Sequence, residues 1–175
     1  TDVGEQTWTV DAGDDAATTT VDVLGGETDS VAYVDADEDG DPEERLTAVE
    51  LAFLGPVEGH LVVFDDVTIS APIGAQADRV TVQRGVTVRA SEVRFEADGD
   101  VTTAGAAIDT SARDVFVADA GDVTLSAGGD LDARDSTVTA SASAFLADAG
   151  DVDLNAGRDA DLRDGTVEAT GYGIF

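Results

Sequence analysis

The sequence predicts an all-β fold, a β-solenoid (β-helix) of short strands behind a small N-terminal β-rich cap. Three observations predict it. A 29-residue segment occurs twice in tandem, as 118–146 and 147–175. Apolar residues recur in short beats with a typical step of about 7 residues. Turn-forming pairs such as Gly-Asp, Arg-Asp, Ala-Gly and Asp-Gly close the beats.

The two copies read ADAGDVTLSAGGDLDARDSTVTASASAFL and ADAGDVDLNAGRDADLRDGTVEATGYGIF, and sixteen of their positions are identical. Leu131 and Ala133 of the first copy become Ala160 and Leu162 in the second. Each pair sits two residues apart, on one face of a strand. A large and a small residue have traded places, which keeps the volume of a shared core constant when rungs stack.

Along the chain the beats fall at Val67/Ile69, Val80/Val82, Val86/Val88, Val93/Phe95, Val101, Ile108, Val115/Val117, Val123/Leu125, Leu131, Val138, Phe145, Val152/Leu154, Leu162, Val167 and Ile174. Within a beat such as Val123-Thr124-Leu125, apolar and polar residues alternate, the period of a strand with one buried face. No proline follows Pro72, so nothing interrupts backbone pairing. From Asp100-Val101 to Asp122-Val123 is 22 residues and the next step is 29, so coils of three or of four beats both remain open.

Residues 1–60 differ and read as the cap, with 61–175 as the repeats. Gln6–Val10, Thr18–Leu24 and Val31–Val34 read as strands. Glu43–Leu54 follows Asp41-Pro42, an N-cap with proline at the first helical position, and Gly55-Pro56 ends it. Val49, Leu51 and Phe53 also alternate, so a strand competes with the helix there. An open coil end exposes apolar rungs and free strand edges, and needs a cover of this kind.

The chain carries 38 acids against 9 bases, a formal net charge of −29, and all nine bases are arginine. In dilute salt such a surface repels itself. Molar salt shortens the Debye length to roughly 3 Å and removes most of that cost. The charge points to a halophilic protein of haloarchaeal type, and 42% hydrophobic residues in periodic order argue against disorder. It excludes nucleic acid and anionic membrane as partners, since both need basic patches. No apolar run is long enough to insert in a membrane as a helix. Cysteine is absent, which removes disulfides, thiol nucleophiles and zinc–thiolate sites. Opening on Thr1 and lacking methionine, the chain reads as processed, which favours an extracellular or cell-surface location.

The sharpest chemical motif is Asp35-Ala36-Asp37-Glu38-Asp39-Gly40-Asp41-Pro42-Glu43-Glu44. Asp35, Asp37 and Asp39 match positions 1, 3 and 5 of a calcium loop, and Gly40 matches its position-6 glycine. Leu46 stands where the loop's bidentate acid belongs, so Asp41, Glu43 or Glu44 would have to replace it. The candidate metal ligands are therefore Asp35, Asp37, Asp39 and Asp41, with calcium as the cation. The Gly-Asp turns at Gly121-Asp122 and Gly150-Asp151 lack the nine-residue spacing of calcium-binding β-rolls and read as solvated turns. His60 is the single histidine, so no common zinc site or Ser-His-Asp triad can be assembled around it. No catalytic residue is assigned, and the expectation is that the protein is not an enzyme.

The segments AGDVTLSAGGDLDARDSTVTA and AGDVDLNAGRDADLRDGTVEA resemble the haemagglutinin-type repeats of secreted β-helical adhesins, in which a Gly-Asn or Gly-Asp turn leads into short Val/Leu strands. The resemblance covers roughly residues 97–175 and implies the fold more than a function. The regular beats are also similar to bactofilins, whose β-helical subunits polymerise end to end, although bactofilin beats are nearer six residues. The expected role is a structural subunit of an extracellular filament or surface assembly, with other copies of itself as partner. A surface adhesin or ligand-binding module, with glycans as ligands, is the alternative. A carboxylate-based polysaccharide enzyme is a third reading, disfavoured by the scarcity of aromatic residues. For assembly, Ile174 and Phe175 close the last beat without a polar cap, and Trp8 and Val10 offer an apolar strand for them to meet.

Overall fold

The computed structural model describes residues 3–11 and 16–24 through their backbone and residues 29–173 in full. The protein is all-β, with 48% strand and 3% helix, and its repeats form parallel sheets of short strands.

Val3–Asp11 (β1) and Ala16–Leu24 (β2) pair as an antiparallel hairpin. Ala32–Asp35 (β3) pairs antiparallel with Glu44–Leu46 (β4) on one side and with His60–Val63 (β5) on the other. A short helix, Ala48–Ala52 (α1), lies between β4 and β5 in sequence. The segment 43–54 thus divides between the two forms expected of it. Asp41 is not its cap. Thr47 is: its hydroxyl accepts the Glu50 N–H at 3.3 Å, and the Glu50 carboxylate accepts the Thr47 N–H at 2.8 Å. The strand keeps Leu46 for the core and the helix buries Ala48, Val49 and Leu51.

From β5 onward the chain returns repeatedly to three parallel sheets. The first holds Ile73–Ala77, Val93–Ala97, Val123–Ala127 and Val152–Ala156. The second holds β5, Arg79–Val82, Val101–Thr102, Leu131–Asp132 and Ala160–Asp161, and is extended past β5 by β3 and β4. The third holds Val67–Thr68, Thr87–Arg89, Ala107–Asp109, Thr137–Thr139 and Thr166–Glu168. Inward residues stack in register, as in the column Val67, Val88, Ile108, Val138 and Val167. Successive returns along that column take 21, 20, 30 and 29 residues. The spacing between paired strands, left open by the sequence, therefore changes along the chain. Asp100-Val101 and Asp122-Val123 are not equivalent, because Val101 pairs with Leu131 and Val123 with Val93.

Large residues meet small ones across the rungs. Phe95, fully buried, lies between Ala75 and Leu125. Leu131 pairs with Ala160, so the exchange seen between the two copies is an exchange between neighbouring strands. Turn residues allow close stacking: a Cβ on Gly121 would overlap the Ser91 carbonyl, and one on Gly150 would overlap the carbonyl of Gly121.

The longer returns carry an added lobe. Ala112–Arg113, Ala142–Ala144 and Gly171–Gly173 form one parallel sheet, and Val117–Asp119 pairs with Leu146–Asp148 in another. Between them lies a second, thin core of Ala118, Ala120, Ala142 and Ala144. Here the phase of the expected beats is corrected. Val115, Val117 and Phe145 do not face a core; they are exposed, together with Phe116 and Leu146. A one-residue shift in a strand moves its whole apolar set to the opposite face, and an alanine-wide gap has no room for valine or phenylalanine.

Candidate metal centre

The loop joining β3 to β4 gathers oxygen donors from four acids. Carboxylate oxygens of Asp35, Asp37, Asp39 and Glu43 lie within 4.8 Å of one another, so the group could hold a metal ion. Asp41, proposed from the sequence, is not part of this group. Glu43 takes a place there, while Leu46, at the position of the usual twelfth ligand, is buried in the core.

Backbone bonds hold the loop in this shape. Gly40 donates its N–H to Asp35 Oδ2 at 3.0 Å, and Ala36 donates to Glu43 Oε2 at 2.6 Å. Asp39 donates to Asp37 Oδ1 at 3.3 Å, and Asp41 to Asp39 Oδ1 at 2.9 Å, two Asx turns in succession. Gly40 has φ +96°, which explains why glycine stands there. The Asp39 N–H favours the Asp37 carboxylate, yet the neighbouring charges of Asp39, Glu43 and Asp35, with partial desolvation, outweigh it and raise the Asp37 pKa above its ordinary value.

Asp35 differs from the other three. It is only 4% exposed, and its Oδ1 is buried with no hydrogen-bond partner among the described residues. A buried carboxylate oxygen without a donor is costly unless a cation meets it. The donor set is oxygen alone, which suits a hard cation.

The loop is tied to the second sheet. Asp35 stands opposite His60 in register, and Glu38 forms an ion pair with Arg79 of the second sheet at 3.1 Å. His60 lies on β5 with Nε2 at 2.8 Å from Thr81 Oγ1; burial, then the charge of Arg79, lowers its pKa. It is not among the clustered donors.

The turn aspartates do more than meet solvent. Asp130 donates its N–H to Asp100 Oδ1 at 2.8 Å, Asp159 to Asp130 Oδ1 at 3.2 Å, and Asp151 to Asp122 Oδ1 at 2.8 Å. Each carboxylate thus caps the equivalent backbone one return later. Arg158 spans two steps, 3.0 Å from Asp100 and 3.4 Å from Asp130. Asp161 is held to a pKa of about 2, first by its side-chain bond to Arg163.

Of the assembly residues, Ile174 and Phe175 lie outside the described residues. Trp8 and Val10 fall on β1, opposite Thr19 and Ala17. The sequence reading missed the exposed tip of the added lobe, where Phe116, Phe145, Leu146 and Tyr172 are each more than half exposed. The signal was available in the run Val115-Phe116-Val117, since three consecutive apolar residues cannot all face one side of a strand. Among the described residues no helix is long and apolar enough to cross a membrane. No protein family, curated protein or solved structure matches this chain.

Proposed function

We propose that the three parallel sheets are the walls of a β-solenoid, and that the protein is a structural subunit of an extracellular filament or surface assembly in a halophile. Copies add head to tail, and the acidic loop takes calcium. The observation that supports assembly is the apolar exposure of Leu162 and Val167 among the described residues. Leu162 is 43% exposed and Val167 50%, whereas their counterparts one return earlier, Ala133 and Val138, are 2% and 1% exposed. The opposite end is different, because β3, β4 and α1 lie beyond the first parallel strands. Completing the burial of each half-covered side chain contributes about 1 kcal/mol, and the free edges of four short parallel strands add backbone pairing. The β1–β2 hairpin with Trp8 and Val10 is the proposed receiving surface. Such a heterologous contact propagates unless its rotation closes a ring.

The test is Leu162→Asp with Val167→Asp, measured by light scattering and negative-stain microscopy in molar salt. The expected result is rods from the unaltered chain and monomers from the double variant. Rods from both would exclude this rung as the joint. The second reading, an adhesin or glycan-binding module, is favoured by the exposed aromatic rings of Phe116, Phe145 and Tyr172. Discrete monomers that bind glycans, and lose them on Phe116→Ala, would replace the first reading with this one.

A further inference from the structure

We infer that calcium in the Asp35–Glu43 loop is what holds β4 and α1 against β3, the strand that joins the parallel sheet through β5, so that cation binding and closure of that end are one event. This rests on the reading of the cation as calcium and adds to it a structural role.

The argument begins with connectivity. Asp35 is the last residue of β3, whose other neighbour is β5, the strand that starts the parallel sheet. Glu43 immediately precedes β4, and among the described residues β4 pairs only with β3. Asp37 and Asp39 lie in the connecting loop. A cation bound to all four therefore crosses from the coil side of the hairpin to its outer strand. If β4 and α1 lift away, Glu43 leaves Asp35 and the site is broken.

The second observation is the orphaned oxygen. Asp35 Oδ2 has the Gly40 N–H, while Oδ1, buried, has no partner among the described residues. The other acids of the group are exposed and can turn to water. Asp35 cannot, so a ligand is needed at this end of the site. A flexible shell of carboxylates, with the backbone turned sharply at Gly40, suits the six to eight oxygen ligands of calcium better than the strict octahedron of magnesium.

Linkage sets the size of the effect. When opening of the cap releases the ion, protection of the cap rises by the factor 1 + [Ca²⁺]/Kd, or about 100-fold at 100 times Kd. The experiment is amide hydrogen exchange on the whole chain in chelexed molar sodium chloride, with calcium titrated and binding followed in parallel by calorimetry. Probes are the Val31 N–H, bonded to the Leu46 carbonyl, and the Leu51 N–H, bonded to Thr47; the Val101 N–H, bonded to Asp130, is the internal reference. Val31 and Leu51 should gain protection in proportion to calcium, with Val101 unchanged. Asp37→Asn and Glu43→Gln should each weaken calcium binding at least tenfold and shift the protection curve by the same factor. Calcium binding without added protection at Val31 and Leu51 would overturn the fastening role and leave the calcium site standing. No calcium binding by the unaltered chain would overturn both, and equal response to magnesium would overturn the choice of cation.

Discussion

Exchanging Phe95 and Ala75 tests whether the rungs share a core layer. Phe95 is fully buried, Ala75 is 2% exposed, and the two are paired in register, with Leu125 on the far side of Phe95. Phe95→Ala removes a side chain that buries roughly 150–250 Å², and Phe→Ala in a core costs about 3–5 kcal/mol. Ala75→Phe adds the same volume where there is no gap, at about 1–3 kcal/mol. Independent sites would add to about 4–8 kcal/mol. In the double variant the ring introduced at position 75 enters the space vacated at 95, so the combined cost should fall below that of Phe95→Ala alone. The coupling would be about 2–3 kcal/mol. The assay is urea unfolding in molar sodium chloride, read by circular dichroism, on the four chains of the cycle. Additive costs would refute the shared layer, and with it the stacking argument for the Leu131/Ala160 exchange.

Further outcomes follow from other parts of the molecule. Gly121→Ala should destabilise by about 1–3 kcal/mol through overlap with the Ser91 carbonyl; an unchanged urea midpoint would show that the turn can move apart. Asp161 has a folded pKa lowered from 3.8 to about 2, so the stability it contributes is complete above the unfolded value and is lost as pH falls from about 3.8 to about 2. Arg163→Gln should move the Asp161 carboxyl titration upward by NMR, and no movement would contradict the pairing. A chain of net charge −29 should lose its β circular dichroism as salt is withdrawn at neutral pH. A full β signal in dilute buffer would refute the salt adaptation.

Period and phase were not equally legible in the sequence. The alternation at Val93/Phe95, Val123/Leu125 and Val152/Leu154 identified an inward face because those positions face a wide core filled by large side chains. In Val117-Ala118-Asp119-Ala120 the same alternation was assigned to the wrong face, since alanine carries little weight as an apolar signal. There the small residues are the core. Coil length was undecidable because returns of 20–21 and 29–30 residues coexist. In the acidic loop, Asp35, Asp37 and Asp39 were readable from spacing around Gly40. Glu43 stands in the sequence beside Asp41 and Glu44 as an equal replacement for the missing ligand, because its approach depends on β4 turning back along β3, which spacing within the loop does not encode. The helix start is hidden for a related reason: Asp41-Pro42 is a stronger local signal than Thr47-Ala48-Val49-Glu50, but Leu46 is claimed by the core and delays the helix by one strand.

The aspartate columns run in one direction. Asp130 donates back to Asp100, Asp159 back to Asp130, and Asp151 back to Asp122. Within the parallel sheets, each strand that has an upstream partner finds it only 19–30 residues earlier. A nascent chain therefore meets a template already made for each of these strands, while the first strands of the sheets, such as Ala112–Arg113 and Val117–Asp119, wait for residues still to come. Each new return of chain is read against the last. Such a molecule can be laid down like thread on a spool, at the pace of synthesis, with a single growing face exposed to error at any time.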